Sequence, residues 1–371
     1  MVKEKIKSVA AVILSTAFVA ISAMGLVACA REDEENAPSS FVCPETNLTI
    51  ELSEDKSYYI VTGCPEDQTE VVIMESYYGK PVKGIGENAF DGCENLTKVS
   101  IPDCMISINP TTLSACKKLE YTETGDAKYL GNENNPYVYL AKYLSEDCEA
   151  VVVESNCKAI GVGAFYGCGK LKSVSLPDGL ARIGSSAFYG CGKLKSVRLP
   201  DGLASIGSSA FGYCGFTSIK LPASLTNIGG RAFEYCQRLE SITIPNGVTE
   251  ISTRTFQGCY RLGNVKLGRN LMRIWEFAFA NSGLKRVTIP DSVTHIGLAA
   301  FYGCGELTSV SIPASVIGIG SEAFSYCSDL TTIRFNGTKA QWEKVVRGDM
   351  WDFYVSAKSV SCTDGTVSLS K

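Results

Sequence analysis

Histidine is almost missing from this 371-residue chain, whose single imidazole is His295. That excludes His-rich zinc sites and two-His proton relays. No Cys-x-x-Cys pair occurs among the 16 cysteines, so the close thiolate spacing of a zinc knuckle is absent as well. Neither sign of charge dominates: the formal net charge is −4 and only 20% of residues are charged, which leaves no electrostatic footprint for nucleic acid. Long apolar runs are confined to the first 28 residues. What is abundant is hydrophobic side chain, 45% of the total, together with 35 glycines. This is the composition of a chain able to bury a core, not of a disordered or collagen-like one.

The leader has its own logic. Lys3, Lys5 and Lys7 precede an apolar stretch from Val9 to Ala28, the pattern of an export signal. Read as a signal peptide, residues 1–28 stand apart from the fold. Their removal takes three lysines and one glutamate, leaving a charge of about −6. An uncleaved anchor is the competing reading, since some 20 apolar residues span a bilayer. Leu26-Val27-Ala28-Cys29 resembles the lipobox of bacterial lipoproteins. That resemblance implies acylation of Cys29, and two or more acyl chains hold a protein stably on a membrane. Residues 29–40 are polar and acidic and read as a tether.

Beyond residue 85 the chain repeats itself. Aromatic or aliphatic anchors fall at Phe90, Leu113, Phe165, Phe188, Phe211, Phe233, Phe256, Phe279, Phe301 and Phe324. Six of the nine gaps are 23 residues, two are 22 and one is 52. Both one-residue deletions lie at Gly215-Phe216 and Gly283-Leu284, marking a loop that tolerates shortening. Within a unit, alternation of Val174 and Leu176 about Ser175 predicts a short strand with one buried face, closed by Pro177. Gly184 follows an aliphatic pair and permits unusual dihedrals or close backbone approach. Ser185-Ser186-Ala187-Phe188 predicts one helical turn that places Phe188 and Cys191 on one face. No single unit of this size buries its apolar side, whereas stacked units do, with strands pairing in parallel.

Period and strand pattern alone leave a leucine-rich horseshoe and a parallel β-helix both open. The consensus Ile-Gly-x-x-Ala-Phe-x-x-Cys-x-x-Leu-x-x-Val-x-Ile-Pro resembles the BspA-type leucine-rich repeat across about residues 70 to 335. The resemblance implies an α/β repeat solenoid: a horseshoe with a parallel sheet on one face, short helical turns on the other, and terminal caps. Ser282 in place of Cys, Trp275 in place of Gly, and Gly268 and Asn336 in place of Pro predict local irregularity only. The expected organisation is a cap at 41–84, repeats at 85–335 with an insertion at 120–150, and a closing module at 336–371. A turn-rich centre between alternating runs at 129–142 predicts an inserted hairpin.

Nine cysteines, Cys93, Cys116, Cys168, Cys191, Cys214, Cys236, Cys259, Cys304 and Cys327, sit three residues after an anchor. Even spacing predicts a ladder of small buried thiols, and the odd count argues against pairwise bridging. A Cys43–Cys64 bridge in the cap remains an open alternative. His295 occupies a variable repeat position and reads as a solvated side chain. No catalytic, cofactor or metal site is assigned. The outward strand positions, among them Arg198, Lys220, Thr243, Lys266, Arg286, Thr288 and Arg334, predict a hydroxyl-rich and mildly basic face suited to a large partner. Relatives of the BspA type are surface proteins, several of which bind host matrix proteins or other cells. The expectation is therefore a non-enzymatic adhesin-like lipoprotein at the cell surface, recognising extracellular protein or glycan and no nucleic acid. A nutrient-capture lipoprotein is the alternative, and a hydrolase a lesser one.

Overall fold

The computed structural model describes residues 37–109, 112–113 and 116–369. The leader, Cys29 and the tether as far as residue 36 lie outside the described residues. Among the described residues the chain forms β-solenoid coils with almost no helix. It divides into two compact units. The first ends at Tyr121 and includes Gly131–Asn134; the second comprises Thr122–Leu130 and everything from Asn135 onward. The first two repeats, Phe90 and Leu113, thus cluster with the residues read as a cap.

In the first unit, Ser40–Val42, Thr49–Leu52 and Tyr59–Gly63 form an antiparallel meander. Its last strand then pairs in parallel with Lys80–Ile85, and that one with Ser107–Ile108. Phe41, Tyr59 and Tyr77 pack edge to face at 5.3–6.3 Å, filling the end of the unit with aromatic area.

The second unit opens on another meander, Thr122–Thr124, Ala127–Leu130 and Tyr139–Tyr143. Three columns then run through its coils. One holds the expected strands, such as Ser173–Ser175, where Val174 is buried and both serines are exposed. A second consists of two-residue strands at the Ile-Gly positions: Ala159–Ile160, Arg182–Ile183, Ser205–Ile206 and Asn227–Ile228 pair in parallel, as do Glu250–Ile251 through Val346–Arg347. A pattern of two residues is too short to register as alternation, which is why the sequence reading found one column and not two. The glycines beside it are set by close approach: a Cβ on Gly207 would lie 2.5 Å from the Ser185 nitrogen.

The third column corrects the expectation of helical turns. At the Ala-Phe positions the chain makes turns, not helix, because each coil carries two left-handed residues four apart. Ser186 and Gly190 have φ of 53° and 79°, Arg231 and Tyr235 of 58° and 54°. No right-handed helix passes through such residues. Alternate amides instead donate to the next coil: Ser186 to Ser208 at 2.8 Å, Phe188 to Ala210 at 2.8 Å, Gly190 to Gly212 at 2.9 Å. The amides between them close turns within the coil, as Tyr189 does on the Ser186 carbonyl at 3.1 Å. The same alternation continues to the Tyr326–Phe353 bond at 2.8 Å.

Beneath these turns the phenylalanines stack. From Phe165 to Phe324 the ring centroids are 4.9–5.7 Å apart and the planes within 16° of parallel, an offset-stacked file. Tyr143 lies against its start, 5.2 Å from Phe165, and Trp351 against its end, 6.3 Å from Phe324. After the last repeat comes a six-residue helix, Lys339–Lys344, started by a capping box between Thr338 and Gln341, with Trp342 buried. A hairpin of Ser359–Cys362 and Gly365–Ser368 follows. Met350 and Tyr354 repeat the left-handed pair, so the closing module contains one further turn, with Trp351 at the Ala position and Asp352 at the anchor.

Candidate functional site

The strand face exposes every candidate side chain: Arg198, Lys220, Thr243, Lys266, Arg286, Thr288 and Arg334. Alternation is the cause, since Ile242, Val265, Val287 and Ile333 point into the core between them. Parallel pairing sets Thr243 beside Lys266, Arg286 beside Ser309, Thr288 beside Ser311 and Ser311 beside Arg334. The column is not continuous, however. Arg198 and Lys220 fall in extended segments outside the named strands, and Lys220 is close to a lone bridge between Ser218 and Ser241. Arg198 is also engaged, with Asp178 at 3.4 Å, both side chains being largely exposed. Lys220, Lys266, Arg286 and Arg334 form no ion pair among the described residues. At the start of the unit, cations are neutralised across coils: Lys170 meets Asp147 and Lys172 meets Glu149, each at 2.7 Å. Those hydrogen-bonded ammonium groups hold both carboxyls below their usual range.

The second column presents the variable residues of the repeat. His295 is among them, exposed and bonded through Nδ1 to the Thr294 hydroxyl at 2.9 Å, paired in register with Arg273 and Gly318.

Thiols line the interior. The Cys191, Cys214, Cys236, Cys259, Cys304 and Cys327 thiols each donate to the carbonyl of the Phe anchor one coil earlier, at 3.1–3.3 Å. Ser282 fills the vacant place and its hydroxyl contacts the Cys304 sulfur at 3.3 Å. Burial pushes the Cys168, Cys191 and Cys236 thiols up to about 12, and Cys116 to about 11. Burial thus disfavours the thiolate, the form that attacks or ligates. All fifteen described cysteines are free. The Cys43–Cys64 bridge is not formed: Cys43 contacts the Tyr77 hydroxyl at 3.4 Å, whereas Cys64 lies against Cys93. Cys148 similarly adjoins Cys168. Both escaped the sequence reading because their coils lack the Ala-Phe anchor that defined the count.

Comparison with known proteins places the chain in a family. The model of the BspA type leucine rich repeat region matches residues 69–133, 158–276 and 226–344, in six copies. No curated protein matches the chain. Among solved structures, a leucine-rich repeat protein from Bacteroides ovatus is similar at 25% identity, covering 84% of this chain and 76% of its own length, with a TM-score of 0.41. The leucine rich repeat protein of T. pallidum is similar at 22% identity, covering 82% and 95%, with a TM-score of 0.32. A leucine rich cell surface protein from Faecalibacterium prausnitzii is similar at 24% identity, covering 84% and 98%, with a TM-score of 0.27. Since the matched segments make up well over half of the sequence, the chain belongs to the BspA-type leucine-rich repeat family.

Proposed function

We propose that this chain is an exported, lipid-anchored surface protein that binds extracellular protein or glycan through its strand face and carries out no catalysis. Proteins of the BspA type are typically found at the cell surface, and leucine-rich repeat solenoids are typically non-enzymatic, which supports the general reading. The observation that carries the specific one is the set of exposed, unpaired cations Lys220, Lys266, Arg286 and Arg334 among hydroxyl-bearing neighbours. No carboxylate occupies the outward positions beside them in Ser241–Thr243, Asn264–Lys266, Arg286–Thr288, Ser309–Ile312 or Thr332–Phe335. A basic strip on an acidic protein favours anionic partners, sulfated glycans or acidic protein surfaces, over neutral or basic ones.

The test is capture of heparin and of immobilised matrix proteins by the whole protein. The triple variant Lys220→Glu, Lys266→Glu, Arg286→Glu is expected to weaken capture about tenfold or more, and added salt to weaken the wild type in the same direction. Undiminished capture by that variant rejects the strand face as the site. In cells, Cys29→Ser is expected to release the protein from the membrane fraction; retention there rejects the acyl anchor.

A further inference from the structure

The two shortened coils have unlike surroundings. In both, the trimmed loop lies directly on its predecessor: a Cβ on Gly215 would meet the Gly192 oxygen at 2.3 Å, and one on Gly283 the Tyr260 oxygen at 2.2 Å. Only glycine fits either place. At Gly283 the missing residue coincides with a cleft of about 310 Å³, lined by Glu240, Tyr260, Arg261, Lys285 and Glu306 around that glycine. The corresponding residues around Gly215 are Lys172, Gly192, Lys193, Thr217 and Arg238, which include three cations and neither a carboxylate nor a ring. Glu240 and Lys285 immediately precede the strands Ser241–Thr243 and Arg286–Thr288, so the cleft opens at the edge of the strand face.

Its chemistry is balanced. Two carboxylates and two cations surround the space, and none of the four is in an ion pair among the described residues. Tyr260 stands at the rim, 52% exposed. Carboxylates accept from hydroxyl groups, Arg261 and Lys285 donate to them, and a tyrosine ring offers an apolar surface to a C–H face. A sugar ring presents all three kinds of contact at once. The two carboxylates offset the two cations, so the cleft offers neither a phosphate or sulfate nor a metal ion a net attraction. The volume is at the lower end of ligand clefts, room for one ring and not for a folded partner.

We propose that this cleft seats one neutral sugar residue of a glycan. The proposal rests on the glycan arm of the function given above and names the ligand class for a site beside the basic strip. The whole protein is titrated by calorimetry with cellotetraose, maltotetraose, xylotetraose, mannotetraose and chitotetraose. At least one is expected to bind, with affinity falling about tenfold or more in Tyr260→Ala and in Glu306→Ala and unchanged in Ile317→Ala, an exposed residue outside both the cleft and the basic strip. Both cleft residues are exposed, and an unaltered melting temperature verifies the fold of each variant. Absence of binding by all five, or binding indifferent to both cleft substitutions, overturns the proposal; so does release of new reducing ends, which means cleavage. Heparin capture that persists in Tyr260→Ala separates failure of the cleft from failure of the strand face.

Discussion

The turn column and the strand column of the second unit are made by the same coils, yet one is unbroken and the other is in pieces. Inter-coil amide bonds follow the turns from Gly163 to Phe353, with a file of stacked rings beneath them. The three-residue strands pair only in segments, Ala150–Val152 with Ser173–Ser175, Ser241–Thr243 with Asn264–Lys266, and Arg286–Thr288 onward. The turn side is constrained at every coil from Phe165 to Phe324 by left-handed backbone and by the ring stack, and in six of them also by a thiol bonded to the preceding Phe carbonyl. On the strand side only the inward valine or isoleucine is constrained. Stability thus concentrates where the repeat is strictest, and the residues that vary from coil to coil are those that face solvent.

Three experiments probe that division. The largest effect is expected from Phe256→Ala, which removes a fully buried ring from between two stacked neighbours at 5.5 and 5.3 Å. It should cost about 3–5 kcal/mol in urea unfolding. A cost under about 1 kcal/mol would place the stability elsewhere.

An intermediate effect is expected from alkali. A thiol whose folded pKa is raised contributes stability that is complete below its unfolded value and is lost as pH climbs toward the folded one. For Cys191 and Cys236 the window runs from about 9, the ordinary thiol value, to about 12. Melting temperature should therefore fall as pH rises above 9, and fall less in Cys191→Ser with Cys236→Ser, a replacement for which Ser282 is the native precedent. Equal slopes in the two proteins would deny the thiols this role.

The smallest effect is expected from Thr243→Ala and Lys266→Ala, both exposed on the strand face. Each should change unfolding free energy by about 0.5 kcal/mol or less. A loss of the size expected for Phe256→Ala would erase the distinction between the two columns.

The repeat, its register and the buried thiols were legible because each depends on a residue type recurring at fixed spacing. Phe188 and Phe211 are equivalent whatever shape the coil takes. The turn conformation was not legible: Ser186 and Arg231 have no side-chain feature that announces φ above zero, and Ser-Ser-Ala-Phe is as good a helix start as a turn. Cys64 and Cys148 were missed because they enter their units through coils without an anchor. The cleft at Gly283 was visible only as a deletion, with nothing to say that Glu240, Tyr260, Arg261, Lys285 and Glu306 surround it.

Sequence alone determined that units of this period must stack, since no unit buries its own apolar face and the apolar residues recur in step. Tertiary structure decided how the backbone amides between strands are satisfied. A helical turn keeps its bonds inside the coil, whereas these turns give every second amide to the next coil, a choice that exists only once a neighbour is in place. It also decided where a missing residue leaves a cleft, because the loops that flank Gly283 belong to coils adjacent in space and some 23 residues away in sequence.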